Sequence, residues 1–170
     1  MNELDVKKEG VTAINQALYM LPKNTNERHW LIRNPMGQHA IAVGLDGPLH
    51  VEVHGHVGFY CGGMNKESEI IVHGHAGVGV AENMMSGLVW IKGNASESAG
   101  ATGNGGLLVI DGDASSRCGI SMKGIDIVVG GSGHALPPQV YILLGSGSQI
   151  FASSAPGRWA MARYSVAMAT

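Results

Sequence analysis

A chain of 170 residues is long enough for one domain with a core of its own. Its formal net charge of −2 at pH 7 offers no basic field for nucleic acid or an anionic membrane. Its longest apolar run is too short to span a bilayer, and the charged segment Met1–Gly10 lacks the apolar stretch of a signal peptide, so a cytoplasmic protein is expected. The 26 glycines are about twice the usual share. With short Val, Ile and Leu blocks between them, they point to a backbone that turns often rather than to disorder.

The first element expected is a helix. Val11, Ile14, Leu18 and Leu21 fall on one helical face, and Pro22 closes it. A polar loop, Lys23 to Arg28, follows, so residues 1–30 read as an N-terminal helix and loop able to dock on the first coil or on a partner. The stretch His39–Gly44 then reads as the strand that opens the coils, which are expected over residues 31–134.

Within that span the chain repeats itself. "GLVWIKGNAS" begins at Gly87 and "GLLVIDGDAS" at Gly106, nineteen residues later. Stepping by nineteen collects the turn glycines Gly55, Gly74, Gly93, Gly112 and Gly131. Four residues before each lies Val51, Ile70, Val89, Leu108 or Ile127. Two residues before lies Val53, Val72, Ile91, Ile110 or Val129, the expected stacking core. The residues between them are mixed, which is the period of a strand with one face inward. After the glycine, Val57, Ala76, Ala95 and Ala114 repeat, as do Cys61, Val80, Ala99 and Cys118. A unit of strand, glycine turn, short strand and glycine turn cannot bury its own apolar face, but stacked copies can, at ~4.8 Å per coil. The reading is all-β: a right-handed parallel β-helix with coils of about nineteen residues. Hairpin strands of a β-sandwich do not keep one fixed period, and the six-residue period of left-handed β-helices is absent.

The pattern fails after Ser132. Gly131 is followed by Ser132, Gly133 and His134 as though one residue were missing, and Pro137-Pro138 falls where a corner strand should run. From Ala135 to Thr170 the only charges are Arg158 and Arg163. Residues 135–170 are therefore expected to be a frameshifted or truncated end, with a divergent coil around "QVYILLGSGS" as the alternative.

Few residues suggest chemistry. Cys61 and Cys118 occupy equivalent positions three coils apart, roughly 14 Å at the spacing of stacked strands, too far for a disulfide; both read as small buried fillers. His50, His54, His56, His73 and His75 cluster, with His54 over His73 and His56 over His75. Their equivalents further on are Lys92 and Asn94, then Asp111 and Asp113, which reads as a solvated polar edge rather than a metal site. "GATGNGG" (Gly100–Gly106) precedes a strand, not a helix, so it is not a phosphate loop. Glu52, Glu69, Glu82, Glu97, Asp111, Asp113 and Asp126 are scattered over coil positions, against the paired carboxylates of a polysaccharide-acting β-helix. No catalytic, cofactor-binding or metal-ligating residue is assigned.

Longer motifs carry a resemblance. "YCGGMN" (Tyr60–Asn65), "VAENMMSG" (Val80–Gly87), "SAGATGNGGLLVIDGDAS" (Ser98–Ser115) and "SSRCGISMKGIDIVV" (Ser115–Val129) resemble the GXGXG family of glutamate synthase-like proteins. Within it they are most similar to the stand-alone second subunit of N-methylglutamate synthase, over about residues 1–131. The resemblance implies a non-catalytic β-helical scaffold. It implies a class II amidotransferase-like partner subunit and an FMN-binding glutamate synthase-like partner subunit, with FMN on the partner and none on this chain. It also implies a product made from methylamine and glutamate. An N-terminal nucleophilic cysteine is absent at Met1-Asn2, and the chain is short for an FMN barrel, in keeping with that role. The alternative is a β-helical subunit of a formylmethanofuran dehydrogenase-type complex, which shares the glycine beat but not these longer motifs.

Overall fold

Short blocks with buried aliphatic residues build seven parallel strands, one above the other. A computed structural model describes residues 2–131 and the strands at 140–143 and 150–153. The strands are β1 (Asn2–Asp5), β2 (His29–Arg33), β3 (His50–His54), β4 (Glu69–Val72), β5 (Leu88–Ile91), β6 (Leu107–Ile110) and β7 (Asp126–Val129). The inward-outward alternation of β3 gives way to buried middle residues, Val109 and Val128, in β6 and β7. Each pairs in parallel with the next in chain order, which makes a parallel β-helix. Val53 lies beside Val72, Val72 beside Ile91, Ile91 beside Ile110, and Ile110 beside Val129. The first four are fully buried and Val129 is 2% exposed. A second buried column runs through Val51, Ile70, Val89, Leu108 and Ile127. The short return strand is reduced to single parallel bridges joining Val57, Ala76, Ala95 and Ala114.

The repeated glycines serve close approach. A Cβ on Gly74 would sit 2.5 Å from the Gly55 carbonyl oxygen, and one on Gly93 would sit 2.7 Å from that of Gly74. Any side chain here would push two coils apart.

The opposite corner holds alternate residues at positive φ. Tyr60, Gly62 and Met64 have φ of 63°, 63° and 56°; one coil on, Gly79, Ala81 and Asn83 have 71°, 56° and 57°. Their N–H groups point alternately forward and back. Tyr60 donates to Val78 O in the next coil at 2.8 Å, Gly62 to Ile41 O in the previous coil at 3.0 Å, and Met64 forward to Glu82 O at 2.8 Å. Each non-glycine residue in this conformation costs roughly 1–2 kcal/mol. The corner persists because each coil also fully buries two strand aliphatics, at about 1.5–3 kcal/mol apiece, and pairs the corner's main chain.

The N-terminal end departs from the sequence reading in two places. His39–Gly44 is a turn, not the opening strand; that role falls to β2, preceded by β1. The reason is spacing: β2 and β3 pair with His29 beside His50, a step of twenty-one, so a step of nineteen passes over β2. Helix α1 (Val6–Glu9) follows β1, with Asp5 accepting from Lys7 N at 3.0 Å. Helix α2 (Val11–Tyr19) lays buried Ile14 and Leu18 against the first coil, with Val11 and Leu21 packed beside them. Its Asn15 stands in for a missing coil: the side-chain amide donates to Ala40 O at 2.6 Å and accepts from Ala42 N at 2.9 Å.

At the other end the sheet changes direction. Strand β8 (Val140–Leu143), within the "QVYILLGSGS" stretch, pairs antiparallel with β7, and β9 (Ile150–Ser153) pairs antiparallel with β8. Neither is therefore a further parallel coil. The remaining positions of the anomalous tail, 132–139, 144–149 and 154–170, lie outside the described residues.

The two cysteines are free; Cys61 is fully buried and Cys118 mostly so. Burial pushes the Cys61 thiol up to about 12 and the Cys118 thiol up to about 11.

Two outcomes are expected. Asn15→Ala strands a carbonyl and an N–H at the first corner and should lower unfolding free energy by about 1–3 kcal/mol in urea titration; an unchanged midpoint would contradict the cap. For Cys61 the folded pKa lies above the unfolded one. The stability tied to its protonated thiol is therefore complete below the ordinary value of 9.0 and lost as pH climbs toward about 12. Cys61→Ala should flatten the alkaline fall in the melting midpoint across that window.

Candidate functional site

Polar chemistry concentrates on the outer face of β3 and β4. Strand alternation turns His50, Glu52 and His54 outward while Val51 and Val53 point in. On β4 it does the same for Glu69, and His73 follows directly after the strand. Parallel register then sets His50 beside Glu69, and the nineteen-residue step sets His54 beside His73.

Glu52 is the centre of this group. Its Oε2 lies 2.8 Å from His73 Nε2 and 3.3 Å from His54 Nε2. Its Oε1 is 3.5 Å from His50 Nε2, and the other nitrogen of His50 is 2.9 Å from Glu69 Oε2. Hydrogen bonds from His54, then His73, hold the Glu52 carboxyl below its ordinary range against the opposing effect of burial. The His54 and His73 rings meet edge-on at 4.5 Å.

The other pair anticipated as neighbours, His56 and His75, stacks at 4.8 Å with 11° between ring planes. Its role is different. His56 Nδ1 accepts from His75 N at 2.9 Å, His75 Nδ1 accepts from Asn94 N at 2.9 Å, and Asn94 Oδ1 accepts from Asp113 N at 3.0 Å. The edge is solvated, as the sequence reads, and it is also a ladder in which each side chain caps the main chain of the next coil. The signal available was that every member carries an acceptor able to reach a neighbouring N–H.

The face grows less polar along the stack. Trp90 Nε1 donates to Asp111 Oδ1 at 2.7 Å, and Lys92 Nζ sits 2.8 Å from the centroid of the Trp90 ring. Desolvation lowers the Lys92 pKa, partly offset by Asp111. Beside the histidines, a groove of about 460 Å³ runs along the strand starts, lined by Arg28, His29, His50, Glu69, Leu88 and Leu107 among others.

The long motif residues lie elsewhere; several are turned inward, while Met64, Met85 and Ile120 are exposed. Asn65 is fully buried and donates to Ser68 O at 2.7 Å and Ser86 O at 3.2 Å. Asn83 donates to the Tyr60 hydroxyl at 3.0 Å and accepts from Thr102 Oγ1 at 2.6 Å, linking three coils. In Gly100–Gly106, Cβ atoms would meet Ile127 at Gly100, Ile125 at Gly103 and the Met85 carbonyl at Gly105. This run leads into β6, so its glycines are spent on coil contacts rather than on phosphate.

No family model matches the chain, and no solved structure matches it. One curated protein matches part of the chain. The chain is similar to Protein GlxC of Rhizobium meliloti (strain 1021). The two are 56% identical over 65 residues, which is 38% of this chain and 28% of that protein. The matched stretch thus spans little more than a quarter of the length of Protein GlxC. Among the described residues no helix is long and apolar enough to cross a membrane.

The ladder can be tested by substitution. His75→Asn repeats the residue found at position 94 and should keep the melting midpoint near that of the parent chain. His75→Leu removes the acceptor for Asn94 N and should cost about 0.5–1.5 kcal/mol. Equal midpoints for the two variants would show that the ladder contributes nothing.

Proposed function

We propose that this chain is a non-catalytic β-helical scaffold subunit of a heteromeric glutamate synthase-like enzyme, of the N-methylglutamate synthase type. Its partners are a class II amidotransferase-like subunit and an FMN-binding subunit, and the flavin belongs to the latter. The motifs between Tyr60 and Val129 and the 56% identity with Protein GlxC over 65 residues support a glutamate synthase-related family.

The observation that carries the scaffold reading is where the motif side chains go. Asn65, Asn83, Tyr60 and Thr102 bond to one another and to neighbouring coils, and most motif glycines, among them Gly87, Gly100, Gly103 and Gly105, sit where a Cβ would meet an adjacent coil. These residues are consumed in building the stack, while the motif residues Met64, Met85 and Ile120 remain on its surface. A stack of this kind offers long, regular sides against which other chains can be set.

The test is affinity purification of the tagged chain from its native host, followed by mass spectrometry and a flavin spectrum. The expected result is an amidotransferase-like chain and a flavoprotein in fixed ratio, no turnover by the isolated chain, and N-methylglutamate formed by the assembly from methylamine and glutamate. Recovery of the chain alone, both as it stands and with a lengthened C-terminus, would overturn the scaffold reading. Product formed only with ammonia would leave the scaffold and reject the N-methylglutamate assignment.

A further inference from the structure

The scaffold reading makes no use of the imidazole cluster on β3 and β4, which is built differently from the rest of the outer face. In the His56–His75–Asn94 ladder each acceptor atom is occupied by a main-chain N–H. The His54 and His73 Nε2 atoms instead converge on one carboxylate oxygen, that of Glu52. One ligand atom from each of the three residues lies within 4.8 Å of the others.

These separations are near those of a coordination sphere. With metal–nitrogen and metal–oxygen bonds of about 2.0–2.1 Å, ligand atoms around a tetrahedral ion stand about 3.3 Å apart. Glu52 Oε2 is already 3.3 Å from His54 Nε2 and 2.8 Å from His73 Nε2. The two imidazole nitrogens lie within 4.8 Å of each other, so closing the sphere requires the two rings to turn toward one another at the surface. Their side chains are 43% and 39% exposed, and Glu52 is 24% exposed, so an ion reaches them without any unfolding.

The surroundings support this arrangement. The two cations nearest in register are turned elsewhere. Arg33, beside His54 on β2, pairs with Glu3 at 2.8 Å. Lys92, the next member of the His54–His73 column, lies over Trp90 and toward Asp111. His50, held by Glu69 at 2.9 Å, lies against the second oxygen of Glu52 and orients the carboxylate. This is the outer support that metal-binding groups commonly have.

We propose that Glu52, His54 and His73 form a binding site for a divalent transition-metal ion of the zinc class. The ion is held by Glu52 Oε2 and the two Nε2 atoms, and its remaining positions are open to solvent. Two imidazoles and one carboxylate suit zinc and its first-row neighbours, while magnesium and calcium prefer sites made of oxygen alone. Glu52 is the member that sequence inspection misses, because it shares no column with either histidine and joins them only through side-chain reach.

The experiment is calorimetric titration of the untagged, chelator-stripped full chain with zinc chloride, with magnesium chloride as the control. One saturable zinc site and no magnesium response are expected. Glu52→Gln, His54→Ala and His73→Ala should each weaken zinc binding at least tenfold, while His75→Asn should leave it unchanged. Cobalt(II) serves as a second readout: its visible absorption bands should form with the parent chain and be lost in His73→Ala. Thermal melts of each variant verify folding before titration. No saturable binding, or parental affinity retained in both Glu52→Gln and His73→Ala, would overturn the site.

Discussion

Each coil of this protein depends on the main chain of its neighbours. At the tight corner the N–H groups of Tyr60, Gly62 and Met64 alternate between the coil ahead and the coil behind. That alternation demands positive φ at every second residue, a conformation that side chains resist. The chain accepts it because an unpaired main-chain group inside the stack would cost about as much, roughly 1–3 kcal/mol. Small residues follow from the same demand. Gly62, Ala81, Gly100 and Gly119 recur at one corner position, and a Cβ at Gly100 would meet Ile127 Cδ1 at 2.6 Å.

Where a neighbouring coil is missing or too distant, side chains imitate it. Asn15 presents a carbonyl and an amide from α2 to the first corner, with the geometry of one more turn of backbone. His56, His75 and Asn94 do the same in miniature, each accepting one N–H from the following coil. Polar residues on the strand faces and corners thus serve different ends. Some complete the main-chain bonding, as Asn65 also does from within the core. Others, grouped around Glu52, bond chiefly among themselves on the open face.

The strand columns were readable from sequence because they obey a strict period and carry an aliphatic residue at both inward positions of β3 to β7. Val53 to Val129 and Val51 to Ile127 needed nothing else. The first coil was not readable, since its step from His29 to His50 is two residues longer and breaks the count. β1 was hidden because it falls outside the count, with Asn2 beside Trp30, and carries a single buried residue, Leu4. The stacking of His54 on His73 and of His56 on His75 followed from the period, but their opposite uses did not. Which nitrogen accepts a main-chain N–H, and which meets Glu52, is decided by ring orientation, and spacing carries no information about that.

A ridge built this way is graduated like a ruler. Along its outer face one mark follows another at about 4.8 Å, the separation of paired strands, and each mark carries its own chemistry: imidazole, imidazole, ammonium, carboxylate at His54, His73, Lys92 and Asp111. Because a coil touches only the coils on either side, adding or removing a whole coil would displace every later mark by one division without altering local packing. A gain or loss of a single residue within a strand has a harsher effect, since it exchanges inward and outward side chains from that point on. The two extra residues of the first coil are tolerated because they leave the pairing of β2 with β3 in step. Change in length is thus quantised: the surface can be redrawn in whole divisions, and fractions must be absorbed at the turns.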